Sequence, residues 1–477
     1  MLFRGAAEAD IRRSLVRRGY ITGIIGLPAN IFFGTGIPAC IVVVDKESAQ
    51  ARKGIFMIDA SGGFVKEGPK NRLRAQDIHK IVDVFIRRLD VPGYARMVSV
   101  AEIEKNEFNL NLPRYIESQV PEDIQDIAGH LQGGIPVADI DALSRYWTVC
   151  PQLRQILFKQ RRPGYVDLAV AKPTIKSAIY EHPEFVAFIA GMNEHFAVWR
   201  RKSSIELKTL QAGFHPKEMI VPLAEGLLKH YADKPLIDAY DVYQHLMAYW
   251  AETMQDDAYM IAADGWKAQT FRIIEIDKKG KTKDKGWTCD LIPKALIVAR
   301  YYAKEQAAID QLAADLETIT AKRTELEDEH SDEDDAFAEF DKANRSDVVA
   351  RLKEIEGDKE STEEAAVLAE WLKLNADEFD LKKRIKSAEV SLDAKAYAKY
   401  PTLTEAEIKA LAVDDKWLAA LDAAVQREME RVSQQLTRRV KELAERYETP
   451  LPEMQSRVAE LEARVTSHLL EMGFSWT

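Results

Sequence analysis

The sequence is poor in cysteine and lacks long apolar runs, and each shortage excludes a class of protein. Cys40, Cys150 and Cys289 are far apart and form no Cys-x-x-Cys pair, so they specify neither a disulfide framework nor a zinc site, and a reducing compartment is expected. No window reaches the ~18 apolar residues that a membrane span needs. The opening Met1-Leu2-Phe3-Arg4-Gly5 carries no basic-then-apolar leader, so a cytoplasmic protein with no membrane partner is expected. His-Glu-x-x-His, Gly-x-Ser-x-Gly and the Walker loop are all missing, and no ordered set of metal ligands replaces them. From spacing alone no catalytic residue and no metal site can be named. Positive charge is also in deficit. The 66 basic side chains against 77 acidic ones leave a net charge of −11, so phosphate backbones would repel the chain as a whole and any nucleic-acid contact must be local.

What remains is 477 residues with 46% hydrophobic and 30% charged side chains, enough for two to four folded domains at ~100–200 residues each. The pattern divides it at about residues 118 and 300. In residues 1–118 a helix is expected over Ala6 to Arg18, with Ile11, Leu15 and Arg18 on one side and Gly19 ending it. The runs Ile21–Leu27, Ala39–Asp45 and Gly54–Asp59 have strand length and continuous β-branched character, as strands buried on both faces do. This stretch reads as part of an α/β sheet. Residues 119–300 read as short helices punctuated by proline, with one β-hairpin from Phe271 to Leu291 whose tip carries Lys278, Lys279, Lys281, Lys283 and Lys285. Residues 301–477 turn rich in Ala, Glu, Lys, Leu and Arg. Ile309, Leu312, Leu316, Ile319 and Leu326 make one heptad seam with Arg323 in its polar slot; Leu374 to Leu392 make a second, and Leu451, Met454, Val458, Leu461 and Val465 to Met472 a third. Long coiled-coil arms reaching for a partner are expected, with the acidic stretch Glu325 to Asp335 as a solvated loop where the chain turns back.

Candidate sites are few. Gly34-Thr35-Gly36 follows a loop and precedes a strand, the wrong context for a nucleotide fingerprint. Asp59-Ala60-Ser61-Gly62-Gly63-Phe64 follows a strand, as a cofactor-cradling turn would, but no helix start comes after it; a plain turn is the competing reading. His182, His195 and His245 read as packed or surface histidines. Arg12, Arg13, Arg17 and Arg18 surround the first helix and offer either phosphate contacts or a solvated face. The lysines of the hairpin tip, Lys278, Lys279, Lys281 and Lys283 foremost, are the better candidates for DNA phosphate, since several cations on one turn release several counterions.

Leu2-Phe3-Arg4-Gly5, Ile11-Arg12-Arg13, Ile24 through Cys40, Phe56 through Ser61, Lys70 through Arg74 and Asn106 through Ile116, with Gly133-Gly134-Ile135-Pro136 further on, resemble in order the later half of the catalytic domain in the modification subunit of type I restriction systems. That resemblance implies a partial Rossmann-like methyltransferase sheet, S-adenosylmethionine as cofactor, adenine N6 in DNA as acceptor, and a specificity and a restriction subunit as partners. It also implies a cofactor loop and an Asn/Asp-Pro-Pro-Phe/Tyr motif upstream of Leu2, whereas no Pro-Pro pair occurs in this chain. The chain is therefore expected to be the downstream part of such an enzyme, inactive alone, with no cofactor-binding residue assignable. By the same resemblance Phe32, then Phe33, is expected to stack on an extruded adenine, with Gly34, Thr35 and Gly36 as the close-approach loop beside it. The competing reading is that one phenylalanine merely packs on the sheet. A different class of protein, a non-catalytic scaffold working through its coiled-coil arms, is the alternative for the whole chain.

Overall fold

A computed structural model describes residues 2–117, 124–276, 282–331, 335–338, 340, 342–356 and 361–474. The chain divides into two compact units, one of residues 1–203, 215–255 and 420–477, the other of residues 204–214 and 256–419. Mixed α/β structure gives way to mainly helical structure along the sequence.

In the first unit the buried runs become the middle of a sheet. Strands β1 (Ile21–Gly26), β2 (Cys40–Val44) and β3 (Gly54–Asp59) are followed by a hairpin, β4 (Val65–Glu67) with β5 (Lys70–Arg72), and by β6 (Ala95–Ser99). The sheet order is β2-β1-β3-β6, with β1 and β3 parallel and the outer two strands antiparallel to their neighbours. Ile24, Ile55, Met57 and Val98 turn to one face, against Val16 of helix α1 (Ala7–Arg17) and Phe108, Leu110 and Leu112. Ile25, Phe56 and Ile58 turn to the other, against Ile81 and Val84 of helix α2 (Ala75–Arg87). Two covered faces explain why β1 and β3 show no alternation of polar and apolar residues.

Helix α1 presents a different face from the expected one. Ile11 is 51% exposed, whereas Arg12 and Val16 are buried. The Arg12 guanidinium donates to the carbonyls of Phe108 (2.6 Å) and Arg4 (2.9 Å), which makes an interior position suitable for a charge that periodicity places outside. Gly19 follows the helix at φ +67°, where an added Cβ would collide with the Ala49 carbonyl. A second sheet, of β7 (Ile135–Pro136), β8 (Phe158–Arg162) and β9 (Tyr165–Leu168), has the order β7-β9-β8.

In the second unit β10 (Phe271–Ile276) pairs antiparallel with β11 (Thr282–Thr288). The helices Ala303–Glu329 and Thr362–Lys399 lie antiparallel: Glu305 meets Lys395 at 3.1 Å, and further along Arg323 meets Glu378 at 2.9 Å. Arg323, the polar slot in the first heptad segment, also sits 5.7 Å from the centre of the Trp371 ring. These two segments therefore find each other within the chain. Among the described residues no helix is long and apolar enough to cross a membrane.

Candidate functional site

Ligands of α/β sheets gather at the C-terminal ends of parallel strands, because the loops there are free of the sheet's hydrogen bonding. Here those ends are Gly26 of β1 and Asp59 of β3, which are register partners, and the Ala60 amide donates to the Gly26 carbonyl at 3.0 Å. Two loops leave this edge side by side.

The first loop holds all five residues expected to contact a base. Asn30 takes φ +57°, and the β4–β5 hairpin braces the turn from outside the sheet. Asn71 donates through Nδ2 to the Ala29 carbonyl (2.8 Å) and through its amide to the Asn30 carbonyl (3.0 Å), while the Lys70 ammonium donates to the Phe32 carbonyl. The same ammonium lies 5.1 Å from the centre of the Phe33 ring. Phe32 is 54% and Phe33 91% exposed, so neither is sealed in the core. Gly34 has φ +80° and open space around it, Thr35 Oγ1 accepts from the Ile37 amide at 3.1 Å, and a Cβ at Gly36 would approach Asn30 Oδ1 to 3.2 Å. The result is a braced loop that offers aromatic surface to solvent, where a flat heterocycle can stack.

The second loop, Ala60 to Gly63, forms one wall of a cavity of about 310 Å³ whose other sides include Asp59, Asp77, Lys80 and Tyr94. Asp59 Oδ1 accepts from the Ser61 amide (3.0 Å), and Asp77 is gripped by the Arg74 side chain and amide at 2.8–2.9 Å. Burial, then Asp77 and Asp59, push the Tyr94 hydroxyl upward, so it stays a donor at any ordinary pH. Two carboxylates beside a hydroxyl suit a ligand bearing hydroxyl or amino groups. Gly63 is required here, since a Cβ would sit 2.7 Å from Asp77 Oδ1. Among the described residues no group of His, Cys, Asp and Glu could hold a metal ion.

The basic candidates part ways. Lys278, Lys279 and Lys281 lie outside the described residues. Lys283 is exposed on β11, and Lys285 pairs with Glu275 at 2.9 Å. Arg12 is buried and committed to carbonyls and Arg13 bonds Asp10 at 2.9 Å, whereas Arg17, 5.1 Å from the Phe108 ring centre, and Arg18 stay exposed. The brace from Lys70 and Asn71 was hidden from sequence reasoning: both fall in a stretch resembling the family, but only the folded hairpin brings them beneath Phe32.

Residues 1–123 match the N-6 DNA Methylase family. The type I restriction enzyme MjaVII methylase subunit of Methanocaldococcus jannaschii is 39% identical over 119 residues, which are 24% of this chain and 21% of that protein. The MpnII methylase subunit of Mycoplasma pneumoniae is 33% identical over 127 residues, 27% of this chain and 23% of that protein. A solved type I restriction-modification methyltransferase subunit from Streptococcus thermophilus shares 41% identity over 24% of each chain, with a TM-score of 0.23. The chain spans between a fifth and a quarter of the length of these curated relatives.

Proposed function

We propose, taking the likeness of residues 1–123 to type I methylase subunits as premise, that this chain supplies the later part of a DNA methyltransferase that moves a methyl group from S-adenosylmethionine to adenine N6. Residues 1–118 are its portion of the catalytic domain, part of a Rossmann-like sheet. Residues 119–300 are a helical domain with a basic hairpin, and residues 301–477 are an assembly region that meets the specificity subunit, with the restriction subunit joining the full cytoplasmic complex. The observation that carries this reading is the exposed Phe32–Phe33 loop, braced by Lys70 and Asn71 at the C-terminal edge of β1.

The exocyclic amine of adenine is a weak nucleophile, so the reaction depends on holding an extruded base in line with the methyl donor. In this scheme Phe32 stacks on the base, and Gly34, Thr35 and Gly36 let the backbone come close. The groups that accept the amine's hydrogens belong to the Asn/Asp-Pro-Pro-Phe/Tyr motif, which these 477 residues lack. That motif and the cofactor loop come from polypeptide outside them. Strand β2 offers a place to join: among the described residues it pairs with β1 alone, Ile41 and Val44 are about half exposed, and the Leu27-to-Ala39 and Asp45-to-Tyr20 hydrogen bonds set an alternation that turns the backbone of Cys40, Val42 and Val44 away from β1.

The test is transfer of labelled methyl to duplex DNA by the chain alone, and by the chain assembled with a polypeptide carrying the two missing motifs and with a specificity subunit. The isolated chain transfers nothing and the assembly does; turnover by the chain alone refutes the division of labour. In the assembly Phe32→Ala lowers the rate roughly ten- to a hundredfold, the worth of one stacked base. Wild-type rates from both Phe32→Ala and Phe33→Ala would remove the loop from the base site.

A further inference from the structure

The helix Leu451–Glu471 stands apart from the other heptad segments. None of its residues is buried. Its apolar residues follow alternating steps of three and four: Leu451, Met454, Val458, Leu461 and Val465, then His468 and Met472. From Leu451 to Val465 this seam is 43–55% exposed. Ala303–Glu329 and Thr362–Lys399 cover one another, whereas here a helix about 31 Å long meets the short helix Ile127–Gln132 and still carries a half-exposed apolar stripe.

We propose that this helix is a self-association site, where two copies of the chain pair as a parallel two-stranded coiled coil. With Leu451 at heptad position a, the a positions are Leu451, Val458, Val465 and Met472, and the d positions Met454, Leu461 and His468. Outward positions carry Glu453, Ser456, Glu460, Thr466 and Ser467, with the small Ala459 and Ala463, so up to Ser467 the stripe has the width of a coiled-coil seam; Leu470 alone among the large apolar residues lies on the outward side. Valine at two of the a positions, with leucine at the central d position between them, favours two strands over three or four.

Charge fixes both partner and direction. The g positions hold Arg457, Arg464 and Glu471, and the e positions Gln455, Glu462 and Leu469. In a parallel pair each g residue faces the e residue of the next heptad on the other strand, so Arg457 meets the partner subunit's Glu462, twice by symmetry. In an antiparallel pair g faces g, and the register that sets Arg457 against Glu471 also sets Arg464 against Arg464. The sequence is thus complementary to itself in one orientation. The proposal does not depend on the methyltransferase reading.

Sedimentation of the full chain tests it. The wild type is a dimer at about 100 µM that dissociates on dilution, and Leu461→Lys leaves a monomer with unchanged helical circular dichroism. Arg457→Glu sets like charges against each other and weakens the dimer at least about tenfold, while the swap Arg457→Glu with Glu462→Arg restores it to within about threefold. In a Cys40→Ser background, Met454→Cys cross-links to itself under a thiol oxidant, since parallel pairing sets each d residue beside its own copy. A chain that stays monomeric at about 100 µM, a dimer indifferent to Leu461→Lys, or a swap that fails to restore pairing overturns the proposal. So does a chain monomeric alone whose seam is covered only by a specificity subunit.

Discussion

Arg12 shows how a single side chain departs from its periodic place. In sequence it is one of four arginines around a surface helix; in the fold its guanidinium ties the Phe108 and Arg4 carbonyls together. Arg12→Met leaves those acceptors unpaired and costs about 2 kcal/mol, seen as a lower denaturant midpoint; an unchanged midpoint would mean that the two bonds contribute nothing. A second case is His195, whose ring stacks on His230 with centres 3.6 Å apart and planes within 3°. Each Nε2 donates to the other's backbone carbonyl, at 2.7 and 2.8 Å. Burial first, then the charges of His230 and Lys234, hold His195 below the usual histidine value, although its bond to the His230 carbonyl opposes this. The unfolded chain therefore takes up the proton first. This part of the stability is complete above about pH 6.5 and falls away as the pH drops further, so His195→Gln flattens the loss of stability measured between about pH 7 and pH 5.

Between elements, small contacts fix functional geometry. The β4–β5 hairpin holds the Phe32 loop partly through the Asn71 side chain. Asn71→Ala removes one hydrogen bond of ~1 kcal/mol, so amide exchange in residues 30–37 quickens about fivefold; exchange at the wild-type rate would assign the loop's order to other interactions. Helix Ala419–Arg446 is anchored to helix Ala239–Tyr249 by Glu428, which bonds Arg431 at 2.9 Å and lies 3.7 Å from His245. Burial works to raise the Glu428 carboxyl, but His245 and Arg431 outweigh it and hold it at about 2. Since the folded value lies below the unfolded one, the stabilisation is present above about pH 4.5 and is lost as pH falls toward 2. Acid unfolding of Glu428→Gln accordingly shows a shallower dependence on pH across that window.

For the whole molecule, a net charge of −11 makes any DNA contact a matter of local basic groups. Exchanging Lys278, Lys279, Lys281 and Lys283 for Gln in the assembled complex lowers the slope of log affinity against log salt by about 0.9 for each phosphate that is no longer neutralised, and an unchanged slope removes the hairpin from the interface. The runs Ile21–Leu27 and Gly54–Asp59 become strands covered on both faces, because a run with no polar alternation has no side to give to water, whereas Ala39–Asp45, expected to be buried in the same way, becomes the half-exposed edge strand β2. The ordered motifs singled out Phe32, Gly34 and Gly36 as candidates, and the fold sets them in a loop at the C-terminal edge of β1. Sequence by itself determined which segments are apolar, at what period, and which family the first quarter resembles. Only the tertiary structure decided that Arg12 turns inward, that Lys70 and Asn71 support the aromatic loop, and that two heptad segments pair while the last keeps its stripe about half exposed. Periodicity fixes the face that a helix or strand must cover, but what covers it depends on residues far apart in the chain coming together, and those meetings are set by the geometry of the packed whole.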